Sequence, residues 1–161
     1  MNKKVFLIIA VISVFIGIFA VKINNKPKNY EILFNWGTSE NINYPKEVKK
    51  DLLIFGDVDF KKLDQLQLST GKYINWFEPF YNYKNHTFET IENLFKARQK
   101  SDGYMSEGIE ELIFDLYNKE DTKEIVQSVI DSNKKYKKIF NDIIELSKSS
   151  PYISNNLSYT L

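Results

Sequence analysis

The stretch from Glu107 to Asn118 reads EGIEELIFDLYN and decides how this chain folds. At about 100° per residue, its large apolar side chains cover most of the circumference of a helix. A helix that is apolar nearly all round is buried among other elements. The stretch therefore predicts a central helix in a mainly α-helical domain. Its apolar residues are Ile109, Leu112, Ile113, Phe114, Leu116 and Tyr117.

Helical patterns precede this stretch. Thr87 to Lys100 is amphipathic, with an apolar stripe opposite a charged one. Farther upstream, Pro45 suits the first turn of a helix that ends before Gly56. Asp57 or Asp59 could cap a further helix that ends near Gly71.

A long apolar pattern follows the central stretch. Asp121 and Glu124 have the spacing of a capping box, with Asp121 as the cap, and the pattern continues to about Lys148. Ser132 and Asn133 fall on its apolar face, so we expect a kink or a break there.

Two aromatic segments resemble short strands more than helices. Tyr30–Trp36 is apolar and ends at Gly37, and Tyr73–Phe77 is rich in aromatic residues and interrupted soon after by Pro79. The fold prediction is thus a mainly α domain with one or two short strands.

Val5–Val21 contains 17 residues without a charge, between Lys4 and Lys22. A helix of that length spans about 25 Å, and flanking lysines can extend it toward the bilayer surfaces. A signal-peptidase cut after Ala20 would place Ile18 three residues before the cut, where a small residue is needed, so the site fits poorly. We expect an uncleaved signal anchor (1–22), a linker (23–29) and a single domain (30–161). The short N-terminal region favours an extracytoplasmic domain at the inner or plasma membrane.

One face of this segment carries small residues. These residues lie within about 80° of one another on the helical wheel. Small side chains on one face of a helix allow another helix to pack closely against it. The stripe predicts a pairing face for a second copy or a partner helix, unless its residues are small by chance. It consists of Ala10, Ser13, Gly17 and Ala20.

Composition narrows the function classes. The formal net charge is +1, which gives no global case for nucleic-acid binding. The chain has no cysteine, so disulfides and thiol chemistry are excluded. The 12 Phe, 10 Tyr and 2 Trp supply an apolar core without disulfides. We also find no glycine-rich phosphate loop and predict no cofactor.

Several side chains are candidates for partner binding. Trp76, Phe77 and Tyr81 either fill the core or form an aromatic contact surface. Arg98, the only arginine, lies on the apolar side of its helix. It either extends its stem toward water or forms an internal ion pair or an interface anchor.

The segment 102–124 holds eight acids and two lysines. Acids on a helix are usually only solvated, but they could also bind a basic partner or form the carboxylate pair of a glycoside hydrolase. The candidates are Glu107, Glu110, Glu111 and Asp115.

Two further patterns are weak. His86 precedes Glu89 and Glu92 in an H-x-x-E-x-x-E spacing, which lacks a second strong metal ligand. The run from Lys134 to Lys138 (KKYKK) is typical of a solvated face, or it could meet anionic lipid or cell-wall polymer.

The absence of a catalytic motif favours binding over catalysis. We expect a membrane-anchored extracytoplasmic domain that binds a protein of the envelope, as an immunity or inhibitor protein does. The alternatives are an accessory subunit of a membrane complex and a cell-wall hydrolase.

Overall fold

A computed structural model describes residues 27–37 and 46–149. These residues form a mainly helical structure of eight helices. They are α1 Asn29–Gly37, α2 Lys46–Phe55, α3 Phe60–Thr70, α4 Phe77–Asn82, α5 Phe88–Lys100, α6 Gly103–Asn118, α7 Lys123–Ser132 and α8 Lys134–Ser149.

The prediction of a strand at Tyr30–Trp36 is wrong, because this segment is most of α1. Its buried and half-buried side chains at Tyr30, Leu33 and Phe34 recur at helical spacing, which the aromatic content obscured. The carboxylate of Glu31 accepts a hydrogen bond from the backbone N–H of Lys28, at 2.7 Å, and so satisfies a donor at the start of the helix.

The predicted strand at Tyr73–Phe77 is also wrong, because no described residue pairs with it in a sheet. Its backbone donors bond to helix ends and side chains instead. The N–H of Ile74 donates to Gln67 Oε1 at 3.0 Å, and the N–H of Asn75 donates to the carbonyl of Gly37 at 3.3 Å. Phe77 already begins α4.

Local signals placed several helix ends correctly. Asp59 caps α3 through the N–H of Lys62, and Gly71 ends that helix in the left-handed region at φ 68°. Thr87 and Thr90 form a capping box on α5. The expected break near residue 133 is confirmed, because Asn133 is extended between α7 and α8.

The cap predicted for α7 was wrong. The N-cap position is Thr122, one residue later than Asp121, and Thr122 makes no side-chain capping bond. Its hydroxyl donates instead to the carbonyl of Leu116 at the end of α6. This buried bond fixes the turn between the two helices and outweighs the capping-box pattern.

α6 packs against α4, α5, α7 and α8, as the prediction of a central helix requires. An aromatic cluster fills the space between α1, α2 and α4. Phe55 lies 5.1 Å from Phe80 and 5.3 Å from Trp76 between ring centroids, and Trp36 stacks on Phe80. These contacts explain why the short helix α4 is stable, since six residues alone would not form a helix in water.

None of the helices among the described residues combines the length and the apolar content that crossing a membrane requires. The segment 1–22, with the stripe Ala10, Ser13, Gly17 and Ala20, lies outside the described residues. So do 38–45 and 150–161.

Candidate protein-binding face

One side of α6 carries acids and a tyrosine at helical spacing. Tyr104, Glu107, Glu111 and Asp115 follow one another at intervals of three and four residues, within about 80° of the helical wheel. Tyr104 is 57% exposed, Glu107 and Glu111 are exposed, and Asp115 is half-buried. Three carboxylates one turn apart therefore line a single strip of surface.

Tyr104 is held at the start of this strip by α3. Its hydroxyl accepts a hydrogen bond from Gln67 Nε2 at 2.9 Å and donates to Asp64 Oδ1 at 3.3 Å. The Oε1 atom of the same amide accepts a hydrogen bond from the N–H of Ile74. This bond brings Tyr73, the residue before Ile74, near Tyr104. Tyr73 is 64% exposed and Leu68, next to Gln67, is 63% exposed.

The second border of the strip is α4. A Cβ atom on Gly108 would lie 3.2 Å from Cζ2 of Trp76, so glycine allows α4 to approach α6 closely. Eleven residues later, Lys119 donates to the carbonyl of Tyr81 at 2.9 Å and lies 4.7 Å from the centroid of its ring. Trp76, at the start of α4, and Tyr81, near its end, therefore contact α6 at Gly108 and at Lys119 respectively.

Asp115 lies on the same stripe of α6 as Gly108 and Lys119, so its carboxylate faces the border with α4. Burial there raises the pKa of Asp115 to about 6, and the nearby charge of Glu111 adds to the rise. A partly desolvated carboxylate at the edge of an exposed strip gains more from a cation brought by a partner than a solvated one does.

We call the surface formed by Tyr73, Tyr104, Glu107, Glu111 and Asp115 the acidic-aromatic face. It presents two exposed phenol rings next to three negative charges. Aromatic residues are enriched in protein interfaces, and the charges are suited to orienting a basic partner.

The candidates from the sequence divide between this face and the interior. Phe77 and Tyr81 are half-buried at its border, whereas Trp76 is 8% exposed and packs with Phe55, Phe77 and Phe80. Glu110 points away from the face and forms an ion pair with Arg98. The structure thus brings Glu107, Glu111 and Asp115 together and separates Glu110, Arg98 and Trp76 from them.

Tyr73, Tyr104 and Leu68 were missed as site residues. The sequence analysis began the central helix at Glu107, so Tyr104 was left outside it. The helix starts at Gly103, where φ is 52°. The signal available in the sequence was the spacing of Tyr104 from Glu107 and Glu111, three and seven residues, which places them on one side of a helix.

The sequence left open that these acids form the carboxylate pair of a glycoside hydrolase. That chemistry uses two carboxyl groups on opposite sides of the scissile bond. Glu107, Glu111 and Asp115 lie along one side of a single helix, and Glu110 is paired with Arg98, so this alternative stays a prediction.

His86 is buried outside this face, between Phe80 and Tyr83. Its Nε2 lies 2.9 Å from the carbonyl of Phe80, so Nε2 carries the proton and donates, and Nδ1 finds no hydrogen-bond partner among the residues that the structure describes. The pKa of His86 is lowered to about 4, chiefly by burial; the charge of Lys119 acts in the same direction, and the hydrogen bond to Phe80 and the charge of Asp121 oppose it. Within residues 27–37 and 46–149 we find no group of His, Asp and Glu side chains that could hold a metal ion.

A comparison of the chain with protein-family models, with curated proteins and with solved structures finds no match.

Proposed function

We propose that this chain is a membrane-anchored domain of the cell envelope that binds a basic protein through its acidic-aromatic face. The observation that carries the proposal is the strip on α6, where exposed Tyr104 stands in line with Glu107 and Glu111. Buried phenol rings contribute most of the energy in many interfaces, while acids set orientation and association rate.

The N-terminal segment supports the anchoring part of this proposal. Val5–Val21 is uncharged and lies between lysines, and the described domain begins only a few residues later. A domain on so short a linker stays close to the bilayer. A small anchored binder without a catalytic motif fits an immunity or inhibitor protein that neutralises a toxin or hydrolase at the membrane.

Co-purification of the full chain from detergent-solubilised membranes tests the proposal. The test variant is Glu107→Lys/Glu111→Lys, which reverses two charges on the face. The matched control is Asp142→Lys/Glu145→Lys, which reverses two exposed charges on α8. We expect the wild-type chain and the control to retain the same protein, and the test variant to lose it.

The retained protein then decides the class of function. An inhibitor abolishes the activity of its partner at a one-to-one ratio, and Glu107→Lys/Glu111→Lys should relieve that inhibition. Equal recovery with both double variants, or recovery of no protein above a mock purification, would contradict binding through this face.

An accessory role in a membrane complex is the second candidate. The stripe Ala10, Ser13, Gly17 and Ala20 favours it, because small residues allow a second transmembrane helix to approach. Gly17→Leu should then release the chain from its complex, while the acidic-aromatic face keeps its affinity for its own protein partner. A complex of unchanged composition would count against this role.

A further inference from the structure

Four lysines lie at the start of α8. Lys134, Lys135, Lys137 and Lys138 are all exposed, while Tyr136 between them is buried. The ion pairs among the described residues use Lys62, Lys96, Arg98 and Lys100 and none of these four. We call the four residues the lysine cluster.

The position of the lysine cluster is unfavourable for the helix. The first turn of a helix carries the positive end of its dipole, where cations are destabilising. α8 has no acid in its first turn. Folding alone therefore does not account for a concentration of positive charge at this site, and an anion outside the domain would relieve it.

A row of contacts connects this end of α8 to the residues that follow the N-terminal segment. The side chain of Asn29 donates to the carbonyl of Asp57 at 3.5 Å, and Lys100 binds the Asp57 carboxylate at 3.1 Å. Lys100, Lys96 and Glu92 lie one turn apart on α5, and Lys96 pairs with Glu92 at 2.8 Å.

The row ends at α8. Tyr136 donates to the other oxygen of Glu92 at 3.4 Å, and its ring packs on Phe95. From Glu92 to Lys100 the helix rises about 12 Å, so the contact to Tyr136 and the contact to Asp57 lie about two turns apart along α5. One turn farther along α8, Phe140 packs on Tyr117, near the opposite end of α6. The first turn of α8 therefore lies nearer to Asn29, at the start of α1, than its later turns do.

From this placement we propose that the lysine cluster docks on the anionic lipid headgroups of the membrane in which the chain is anchored. The proposal rests on the proposed anchoring, because the signal anchor (1–22) and the linker (23–29) would bring the side of the domain that holds Asn29 to the bilayer. Docking would fix the orientation of the domain, so that α8 meets lipid and the other sides remain available to a partner.

The experiment uses the full chain, which has no native cysteine to interfere with labelling. Single cysteines replace Ser132, beside the cluster, and Ser147, near the other end of α8. The two positions are matched, since each hydroxyl donates only to the carbonyl three residues earlier, at 2.7 and 2.8 Å. A fluorophore on each cysteine is quenched by spin-labelled lipid headgroups in vesicles with or without anionic phospholipid.

We expect quenching at Ser132→Cys in anionic vesicles, little in zwitterionic vesicles, and little at Ser147→Cys in either. Lys134→Gln/Lys137→Gln should lower the ratio of docked to undocked domain about fivefold for each lysine, since a lysine at an anionic surface contributes about 1 kcal/mol. Lys84→Gln/Lys148→Gln, which removes two exposed charges elsewhere, should leave the quenching unchanged.

A thermal melt of the same variants in detergent shows that they are folded. Lys134→Gln/Lys137→Gln should raise the melting temperature, because it removes cations from a helix N-terminus. A lower melting temperature would contradict the argument that folding disfavours the cluster.

Extraction with alkaline carbonate separates the two proposals. A chain that stays in the vesicles but shows equal quenching at both positions, or equal quenching in both lipids, overturns lipid docking and leaves the anchor in place. A chain that is extracted overturns both.

Discussion

The guanidinium of Arg98 binds the carboxylate of Glu110, with its Nε atom 2.6 Å from Oε1, and so joins α5 to α6. Nη2 of the same guanidinium contacts the same oxygen. The two side chains are 29% and 15% exposed, so the pair is largely removed from water. Of the three alternatives that the sequence left open for Arg98, the internal ion pair is the one found.

Removing one member of this pair should destabilise the fold. Arg98→Met leaves the Glu110 carboxylate desolvated without its cation, and we expect the free energy of unfolding to fall by about 2–3 kcal/mol. The double variant Arg98→Met/Glu110→Leu should regain most of this loss, since replacement of both charges removes the desolvation cost. Urea denaturation in detergent, followed by the fluorescence of buried Trp36 and Trp76, measures both.

Lys62→Met is the control for that comparison. It breaks an exposed pair with Asp59, at 3.6 Å, and should change the free energy of unfolding by less than about 0.5 kcal/mol. An Arg98→Met variant as stable as Lys62→Met would show that the interior pair does not contribute to joining α5 and α6.

Gly56 marks the closest approach of α2 to α5. A Cβ atom there would lie 2.6 Å from Oδ1 of Asn93 and 2.8 Å from Cβ of Lys96. Gly56→Ala should therefore push the helices apart and reduce the free energy of unfolding by about 1–3 kcal/mol.

Gly71→Ala separates this steric effect from backbone strain. At Gly71 φ is 68° and no atom lies within 4 Å of the added Cβ, so we expect a loss of about 1 kcal/mol from the left-handed conformation alone. Equal stability of Gly56→Ala and the wild-type chain in urea would show that α2 does not rest against α5 at this point.

Substitution of Asp115 should have opposite effects on the stability of the fold and on partner binding. Its pKa is raised from 3.8 to about 6, so the native state takes up a proton between these values that the unfolded chain does not. The contribution of Asp115 to the free energy of unfolding therefore rises as the pH falls from about 6 to 4. It is absent at pH 7, where the native state holds the desolvated charge.

We expect Asp115→Asn to be more stable than the wild-type chain at pH 7, by about 1 kcal/mol or less because the side chain is half exposed. This advantage should disappear near pH 4. The same variant should weaken partner binding. Glu107→Gln, an exposed control on the same strip, should change stability by less than about 0.5 kcal/mol. A destabilised Asp115→Asn at pH 7 would mean that the carboxylate is stabilised in the fold.

His86 should give a pH dependence of the opposite sign. The pKa of its imidazole is lowered from 6.5 to about 4, so below pH 6.5 the unfolded chain binds a proton that the native state excludes. The free energy of unfolding from this group therefore falls with the pH, by up to about 3 kcal/mol between 6.5 and 4. The raised pKa values of Asp115 and of Asp51, each about 6, oppose this trend.

His86→Gln isolates the contribution, because an amide N–H can still donate to the carbonyl of Phe80 but does not titrate. Between pH 6.5 and 4 the wild-type chain should lose more stability than this variant in urea denaturation. Parallel pH profiles of the two proteins would show that the native state admits the proton.

The sequence predicted best what depends on local chemistry. Gly71 and Asp59, one of the two caps proposed, marked the ends of α3 correctly because capping needs particular side chains at fixed positions. The helical class followed from the apolar spacing in Glu107–Asn118. Tyr30–Trp36 was predicted as a strand because short aromatic runs fit a helix and a strand alike, and only packing with Phe80 decides between them.

The candidate face was predictable only in part. The acids were visible as a local excess of charge, but Glu110 could not be separated from Glu107 and Glu111 without knowing where Arg98 lies. Tyr73 and Tyr104 come together through Gln67, from a different helix, and no periodicity within one segment shows such a contact. Thr122 replaced Asp121 as the N-cap because its hydroxyl donates to the carbonyl of Leu116, six residues earlier, and the capping-box spacing does not reveal that bond.

Photo-crosslinking in the living cell tests the central claim most directly. A photoreactive amino acid at Glu111, on the acidic-aromatic face, is compared with the same amino acid at Glu145, an exposed acid on α8. If the face binds a protein, position 111 gives one crosslinked product of defined mass, and position 145 does not. The product should disappear in the Glu107→Lys background. No product from 111, or the same products from both positions, would contradict the account.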